Sequence, residues 1–472
     1  MKNERPIVQA LENFIANKPQ SLHVPGHKNG LLSNLPNEIK RALIYDLTEL
    51  TGLDDFHHPE EAILQAEQLL AKVYDADYSF FLVNGSTVGN LAMIYATCKP
   101  GDTVLVQRNA HKSIFHALEL VGVNPVYLAP KWHEISKTAG CVQTETLQEA
   151  LKRYPNAKAV IFTYPTYYGV TTKDLAKQIE LCHAEGIPVL VDEAHGAHFL
   201  VSNKLPPSAL QLGADIVVQS AHKTLPAMTM ASFLHMKSRL VSEQKVNHYL
   251  RMLQSSSPSY LLLASLDDAR AYVATYTEAD FTLFMEKRQQ FVDSLQALTA
   301  LQVVEVDDTL KLLLRAPGYT GFELKDALEK MHVYVELADA QQVLLILPLL
   351  KHGESYPFAD LRIRVKEALI YLKGSPGTAQ SLSSNFEMTA ISQSELSFAE
   401  IEQAEKEWIP YMRAIGRVAA STIIPYPPGI PLFVPGEKIT VSKLSQLEEL
   451  LAFGAMFQGE QRLQEKLINV IK

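Results

Sequence analysis

The sequence predicts an α/β protein, with a mostly parallel sheet in a large domain and a smaller α+β C-terminal domain. Two observations carry this. From residue 79 to 236, short apolar runs alternate with helical stretches, the pattern of strands joined by crossover helices. From 300 to 372, shorter strand-like runs alternate with helices at 321–331 and 359–372. The boundaries we expect are an N-terminal segment at 1–55, a large domain at 56–285 and a C-terminal domain at 286–472.

The elements follow in order. Ile7, Val8, Leu11, Phe14 and Ile15 can share one face of a helix over 6–17. Pro25-Gly26 makes a turn between His23 and His27. A helix is expected over 59–74, with Glu60 and Glu61 in its first turn, where carboxylates suit the helix dipole. Strand 79–83 then runs through the turn Asn84–Asn90 into a helix from Leu91 to Thr97. Strands follow at 103–106 and 158–162. A helix over 173–185 is closed by Gly186, and apolar strands end at Asp192 and Gln219. Another strand is expected at 231–236, then one long helix over 264–299. The strand-like runs of the C-terminal domain are Lys311–Leu314 and Val343–Leu347. Beyond them come an exposed loop at 374–384, a polar helix at 396–406 and a proline-stiffened stretch from Ile423 to Pro431.

Composition narrows the function. The chain has 472 residues and a net charge of −9, which gives no basic footprint for nucleic acid. Cys98, Cys141 and Cys182 are widely spaced and form neither a disulfide framework nor a cysteine metal site. No metal site is expected, because Pro25-Gly26 breaks the helix that a His23/His27 pair would need. The start of the chain lacks the apolar core of a signal peptide, and no run is long enough for a membrane helix, so the expected location is the cytoplasm.

The chemistry gathers where strands end. Ser220-Ala221-His222-Lys223-Thr224-Leu225-Pro226 follows one apolar strand, and Asp192-Glu193-Ala194-His195-Gly196 ends another. A lone loop lysine is ordinarily just solvated. A strand-end lysine together with a strand-end aspartate is what pyridoxal phosphate requires: an amine for its aldehyde and a carboxylate for its ring nitrogen. Asn84-Gly85-Ser86-Thr87 lies between strand and helix, a place where free N–H groups and hydroxyls can hold a phosphate or simply cap the helix. Ser86, His111, Asp192 and Lys223 all follow expected strands, and sites in open α/β sheets lie at that edge.

At these residues the chain resembles the Orn/Lys/Arg decarboxylases, pyridoxal-phosphate enzymes of fold type I. The resemblance covers about 21–440, with its motifs in the family's order. It implies the short form, without an N-terminal wing domain. It also implies that Ser86 and Thr87 hold the cofactor's phosphate, that His111 stacks on its ring, and that Ser220 and His222 belong to the cofactor site with Asp192 and Lys223. Thr163–Gly169 would line the pocket, with Tyr167 open between pocket wall and packed rim. The Ser255-Ser256-Ser257-Pro258 run would reach the partner's phosphate through Ser256, making a homodimer with shared sites. Glu437 would lie near the substrate's side chain. Some longer members carry Trp where this chain has His195, which leaves the role of His195 open; we place it with Glu437 among the substrate-binding candidates.

The implied activity is decarboxylation of arginine, lysine or ornithine, with Lys223, His111 and Asp192 as catalytic residues. The alternatives are another fold-type-I reaction, such as transamination or β-elimination, or a non-catalytic homologue that binds the cofactor. An aminotransferase would need an arginine for the α-carboxylate, and Arg362 and Arg364 are the candidates.

Overall fold

The computed structural model describes residues 3–374, 377, 389–425, 430–452, 454–459 and 462–472. Most of the expected 374–384 loop and Tyr426–Gly429 of the proline-rich stretch lie outside them. The chain forms two compact units, Met1–Thr97 with Pro188–Thr277, and Cys98–Ile187 with Glu278–Lys472.

In the first unit the strands are ordered Tyr78–Leu82, Ser232–Met236, Ile216–Gln219 and Val189–Asp192. The last two are parallel, with Asp192 opposite Val218, and every residue in both is buried. Burial on both faces is why they read as unbroken apolar runs rather than as alternating ones. Ser232–Met236 departs from the parallel pattern and runs antiparallel to both of its neighbours. Only one helical turn, Ala221–Thr224, and a short loop precede it, so there is no crossover helix to restore the direction.

Two helix starts lie later or earlier than the sequence suggests. The expected 59–74 helix begins at Ala62. Asp54 supplies its missing acceptors: the carboxylate takes the backbone N–H groups of Glu60, Glu61 and Ile63 at 3.0, 2.9 and 2.9 Å. The helix expected from Leu91 already begins at Gly85, so most of the Asn84–Asn90 turn is its first two turns. Gly89 allows this helix to lie close on the strands. A Cβ there would stand 2.7 Å from Leu82 Cδ1 and 2.8 Å from Val218 Cγ1.

In the second unit Ala159–Thr163, Thr103–Gln107 and Asn124–Leu128 are neighbours, with Ile391–Gln393 added antiparallel at Asn124–Leu128. An antiparallel sheet of Gln302–Glu305, Lys311–Arg315, Val343–Ile346 and Leu337–Ala338, with helices Gly321–Lys330 and Phe358–Leu372, makes the expected α+β part. The expected 264–299 helix is two helices, Tyr260–Thr275, which belongs to the first unit, and Glu278–Gln296, which belongs to the second. Tyr276 between them is extended, at ψ 135°. No Gly or Pro marks the break; Thr277 followed by Glu278 and Asp280 in the next first turn is a start signal instead. The polar helix of 396–406 is only Phe398–Gln403, closed at its start by a Ser397/Glu400 capping box and followed by strand Lys406–Pro410.

Candidate active site

In the first unit, three chain segments far apart in sequence bring their polar ends together. Lys223 lies in the turn Ala221–Thr224, directly after strand Ile216–Gln219, and its Nζ is 3.1 Å from His195 Nε2. Ser220 is buried; its hydroxyl donates to Ser86 Oγ at 2.8 Å and its N–H to Ala194 O at 3.2 Å. The lysine segment is thus tied both to the start of helix Gly85–Thr97 and to the turn after Asp192. His222 stands on the other side of Lys223, with Nδ1 3.1 Å from Ala231 O.

Asp192 is 3% exposed. Its Oδ2 accepts from Asn90 Nδ2 at 3.0 Å and its Oδ1 from the Ala194 N–H at 3.2 Å. Burial pushes its pKa up, opposed by the Lys223 charge and by these two hydrogen bonds. Asn90 belongs to none of the motifs that mark the site in the sequence. The available signal was its spacing, because Ser86 and Asn90 are i and i+4 on one helix and share a face.

This arrangement fits pyridoxal phosphate. A desolvated carboxylate with its remaining capacity turned to a charged partner suits a protonated ring nitrogen. A helix start supplies N–H groups that have no acceptor within the helix, and Ser86 adds a hydroxyl there. Thr87 is exposed at the same helix start. Ser256 is exposed in the adjoining loop, where the Ser255 N–H donates to Asn84 Oδ1 at 3.2 Å.

The second unit holds the other candidates. His111 caps helix Lys112–Val121, its Nδ1 accepting from the Ser113 N–H at 3.3 Å, and its ring centre is 6.4 Å from that of Tyr167. Lys311 Nζ donates to Tyr167 O at 2.6 Å, and the Tyr168 hydroxyl to Asp339 Oδ2 at 2.7 Å, so the Thr163–Gly169 stretch is anchored on both sides.

Glu437 is buried against two cations. Arg108 forks onto it at 2.9 and 2.7 Å, and Lys443 Nζ lies 2.5 Å away. Arg108 also donates to Pro431 O and Leu432 O, with Phe115 and Tyr127 rings about its guanidinium. Burial alone would raise the Glu437 carboxyl; the charges of Arg108 and Lys443 outweigh it and hold the group below the usual carboxylate range. Burial and Arg108 push the Lys443 ammonium down to about 8. With its carboxylate already answered by two cations, the geometry lends no support to a substrate-reading task for Glu437. Nothing in the local sequence marks Arg108, since a strand-end arginine is unremarkable until its partner is known.

The family's major domain, described as "Orn/Lys/Arg decarboxylase, major domain", matches residues 5–312, and its C-terminal domain matches 378–461. The chain belongs to the Orn/Lys/Arg decarboxylase family. It is 43% identical to YaaO, an uncharacterized protein of Bacillus subtilis (strain 168), over 98% of both chains. It is 34% identical to an arginine decarboxylase of the same organism, over 100% of this chain and 98% of that protein. Among solved structures it is similar to the Francisella novicida lysine decarboxylase LdcF, with a TM-score of 0.80 and 20% identity, covering 100% of this chain and 81% of that one. At that identity the likeness speaks for the fold alone: fold type I, with a large, mostly parallel sheet domain and a smaller α+β C-terminal domain.

Proposed function

We propose that this family member decarboxylates arginine. The chain is a pyridoxal-phosphate-dependent decarboxylase acting on a basic amino acid. The observation that carries the site assignment is the meeting of Lys223, His195, Asp192, Asn90, Ser86 and Ser220 within one unit. The match to an arginine decarboxylase over its whole length supports arginine over lysine.

Lys223 would hold the cofactor's aldehyde carbon, Asp192 its ring nitrogen, and Ser86 with the start of helix Gly85–Thr97 its phosphate; His111, Thr87, Ser220, His222 and Ser256 complete the proposed set. When bound, pyridoxal phosphate supplies an electron sink for the pair left behind as CO2 departs. The residues do the rest. Asp192, fixed by Asn90 and the Ala194 amide, keeps a proton on the ring nitrogen. Lys223 Nζ and His195 Nε2, 3.1 Å apart, can pass a proton between them and deliver it to the substrate's α-carbon. Loss of CO2 and gain of that proton convert the amino acid to its amine.

Transamination has weaker support. Arg362 Nε donates to Ser294 O, and Arg364 is shared between Asp360 and Met331 O, so neither is held ready for an α-carboxylate.

The dimer with shared sites is part of the proposal. Its support is the N-terminal segment, where Leu22, Val24, Leu31 and Leu32 are 96, 64, 77 and 68% exposed, a run of apolar side chains of the kind a protein interface covers. A cytoplasmic location with no nucleic-acid partner is proposed on three free thiols and the net charge of −9. Among the described residues no helix is long and apolar enough to cross a membrane.

The test is CO2 and amine release from arginine, lysine and ornithine by the purified protein with pyridoxal phosphate. Arginine is expected to give the highest kcat/KM. Preference for lysine or ornithine overturns the arginine assignment.

A further inference from the structure

Beneath the site lies a buried polar chain that the mechanism above does not use. Glu193, next to Asp192, is 0% exposed. Its Oε2 accepts from Ser208 Oγ at 2.8 Å, the Ala209 N–H at 3.3 Å and Gln219 Nε2 at 3.4 Å. Gln219 Oε1 is 3.2 Å from His235 Nε2, and His235 Nδ1 is 2.8 Å from Ser79 Oγ. The direction of the chain is therefore fixed: Ser79 donates to His235, His235 to Gln219, and Gln219 to Glu193. His235 stacks on Tyr74 at 4.2 Å, and the Tyr74 hydroxyl donates to Ala197 O at 2.7 Å.

Every partner of the Glu193 carboxyl is a neutral donor. The titratable groups around it are Asp192 before it, His195 and His198 in the turn after it, Tyr74 from helix Ala62–Tyr74, and His235 reached through Gln219. Burial keeps His235 uncharged by lowering its pKa to about 3, and raises Tyr74 well above the ordinary phenol range. Among the described residues no cation offsets the desolvation of Glu193, and burial pushes its pKa up to about 8 against the hydrogen bonds it accepts. Its other oxygen, Oε1, is buried with no hydrogen-bond partner among the described residues, the place for a proton. The side chain fills the space under Gly196, where a Cβ would be 2.6 Å from Glu193 Cγ and 2.7 Å from Oε1. The Gly196 N–H closes back on Glu193 O at 2.9 Å. His195 rides on this turn.

We propose that Glu193 is a positioning residue: filling the space under Gly196, it props the 193–198 turn so that His195 meets Lys223. The proposal rests on the decarboxylase reading for its effect on turnover, but its structural half can be tested without turnover.

The variants are Glu193→Gln, which keeps the shape and neutrality, and Glu193→Ala, which removes the prop. With holoenzyme at saturating cofactor, Glu193→Ala should lower kcat by about 10²-fold, the scale of a misplacement near 1 Å, with KM little changed. Glu193→Gln should keep kcat near wild type at pH 7 and abolish a decline in wild-type kcat through pH 8. Thermal midpoints between pH 5 and 9 give the second readout. A buried acid with a raised pKa holds a proton when folded that it loses on unfolding, above the ordinary glutamate value of about 4.3. Its contribution is complete below that value and is lost as pH rises through about 8. Wild type should therefore lose stability relative to Glu193→Gln as pH rises from 5 to 8. Glu67, also raised to about 8 by burial, is common to both proteins and cancels.

A Glu193→Gln protein as slow as Glu193→Ala, or a midpoint difference that does not change with pH, overturns the proposal. So does an unchanged kcat in Glu193→Ala. Should Glu193→Ala fail to fold, Glu193→Gln and the midpoints decide alone. Absence of decarboxylation by the wild type overturns the functional reading, and the midpoints still decide whether Glu193 is neutral.

Discussion

Asp192 and Glu437 are both buried acids, yet they are stabilised differently, and different experiments distinguish them. Asp192 leans on an amide side chain and a backbone N–H, with Lys223 as the charge that opposes its desolvation. Replacing it by Asn keeps the size and removes the charge. Asp192→Asn should still bind pyridoxal phosphate, seen by its absorbance, while kcat falls by about 10²–10³-fold, the usual scale for one well-placed electrostatic group. Near-normal turnover would mean that the ring nitrogen is met elsewhere. Glu437 sits between Arg108 and Lys443, so its loss strands a buried guanidinium. Glu437→Gln should cost about 3–5 kcal/mol in chemical denaturation, as breaking a buried ion pair does. A lower kcat/KM for arginine with stability intact would return Glu437 to the substrate-reading role its motif implies.

Among the elements, helix Gly85–Thr97 is held by close packing. It carries Ser86 and Asn90 on one face and packs through Gly89 on Leu82 and Val218. Gly89→Ala forces the added methyl into those side chains, an overpacking that costs typically about 1–3 kcal/mol. Because the helix start would move, cofactor affinity should weaken along with the thermal midpoint, measured by titration of the apo protein. Unchanged affinity would mean that the helix start does not bear on the phosphate. Elements of this kind were legible where periodicity and punctuation agreed. The strands ending at Asp192 and Gln219 are apolar runs closed by polar residues, and both form where expected. The break at Tyr276 was not legible, because neither Gly nor Pro marks it. The early start at Gly85 was hidden as well, since Gly-Ser-Thr reads as a turn whether or not a helix has begun. At the site, Lys223 and Asp192 could be read from residue type and strand ends. Asn90 was legible only through its spacing from Ser86, and Glu193 and Arg108 were not, because what matters in those two is a partner distant in sequence: Gln219 and Glu437.

For the molecule as a whole, the shared-site dimer is the prediction that reaches beyond a single chain. Mixing Lys223→Ala with a Ser256→Asp protein should restore activity to a fraction of the dimers if each site draws on both subunits. Light scattering should show a dimer in both variants. A monomer that is active at every dilution would overturn it. The division of the chain into two units has a further consequence, for synthesis. The strand Tyr78–Leu82 pairs with Ser232–Met236, and both belong to a unit whose two stretches are separated by residues 98–187. A ribosome adding about 5–20 residues per second needs roughly 8–30 s to carry the chain from one strand to the other. Throughout that interval the nascent chain presents an apolar, hydrogen-bond-hungry edge with no mate. The first unit can then be completed only after residues 98–187 have been made, and whatever shields residues 78–82 in the meantime decides how much of the new protein reaches its native state.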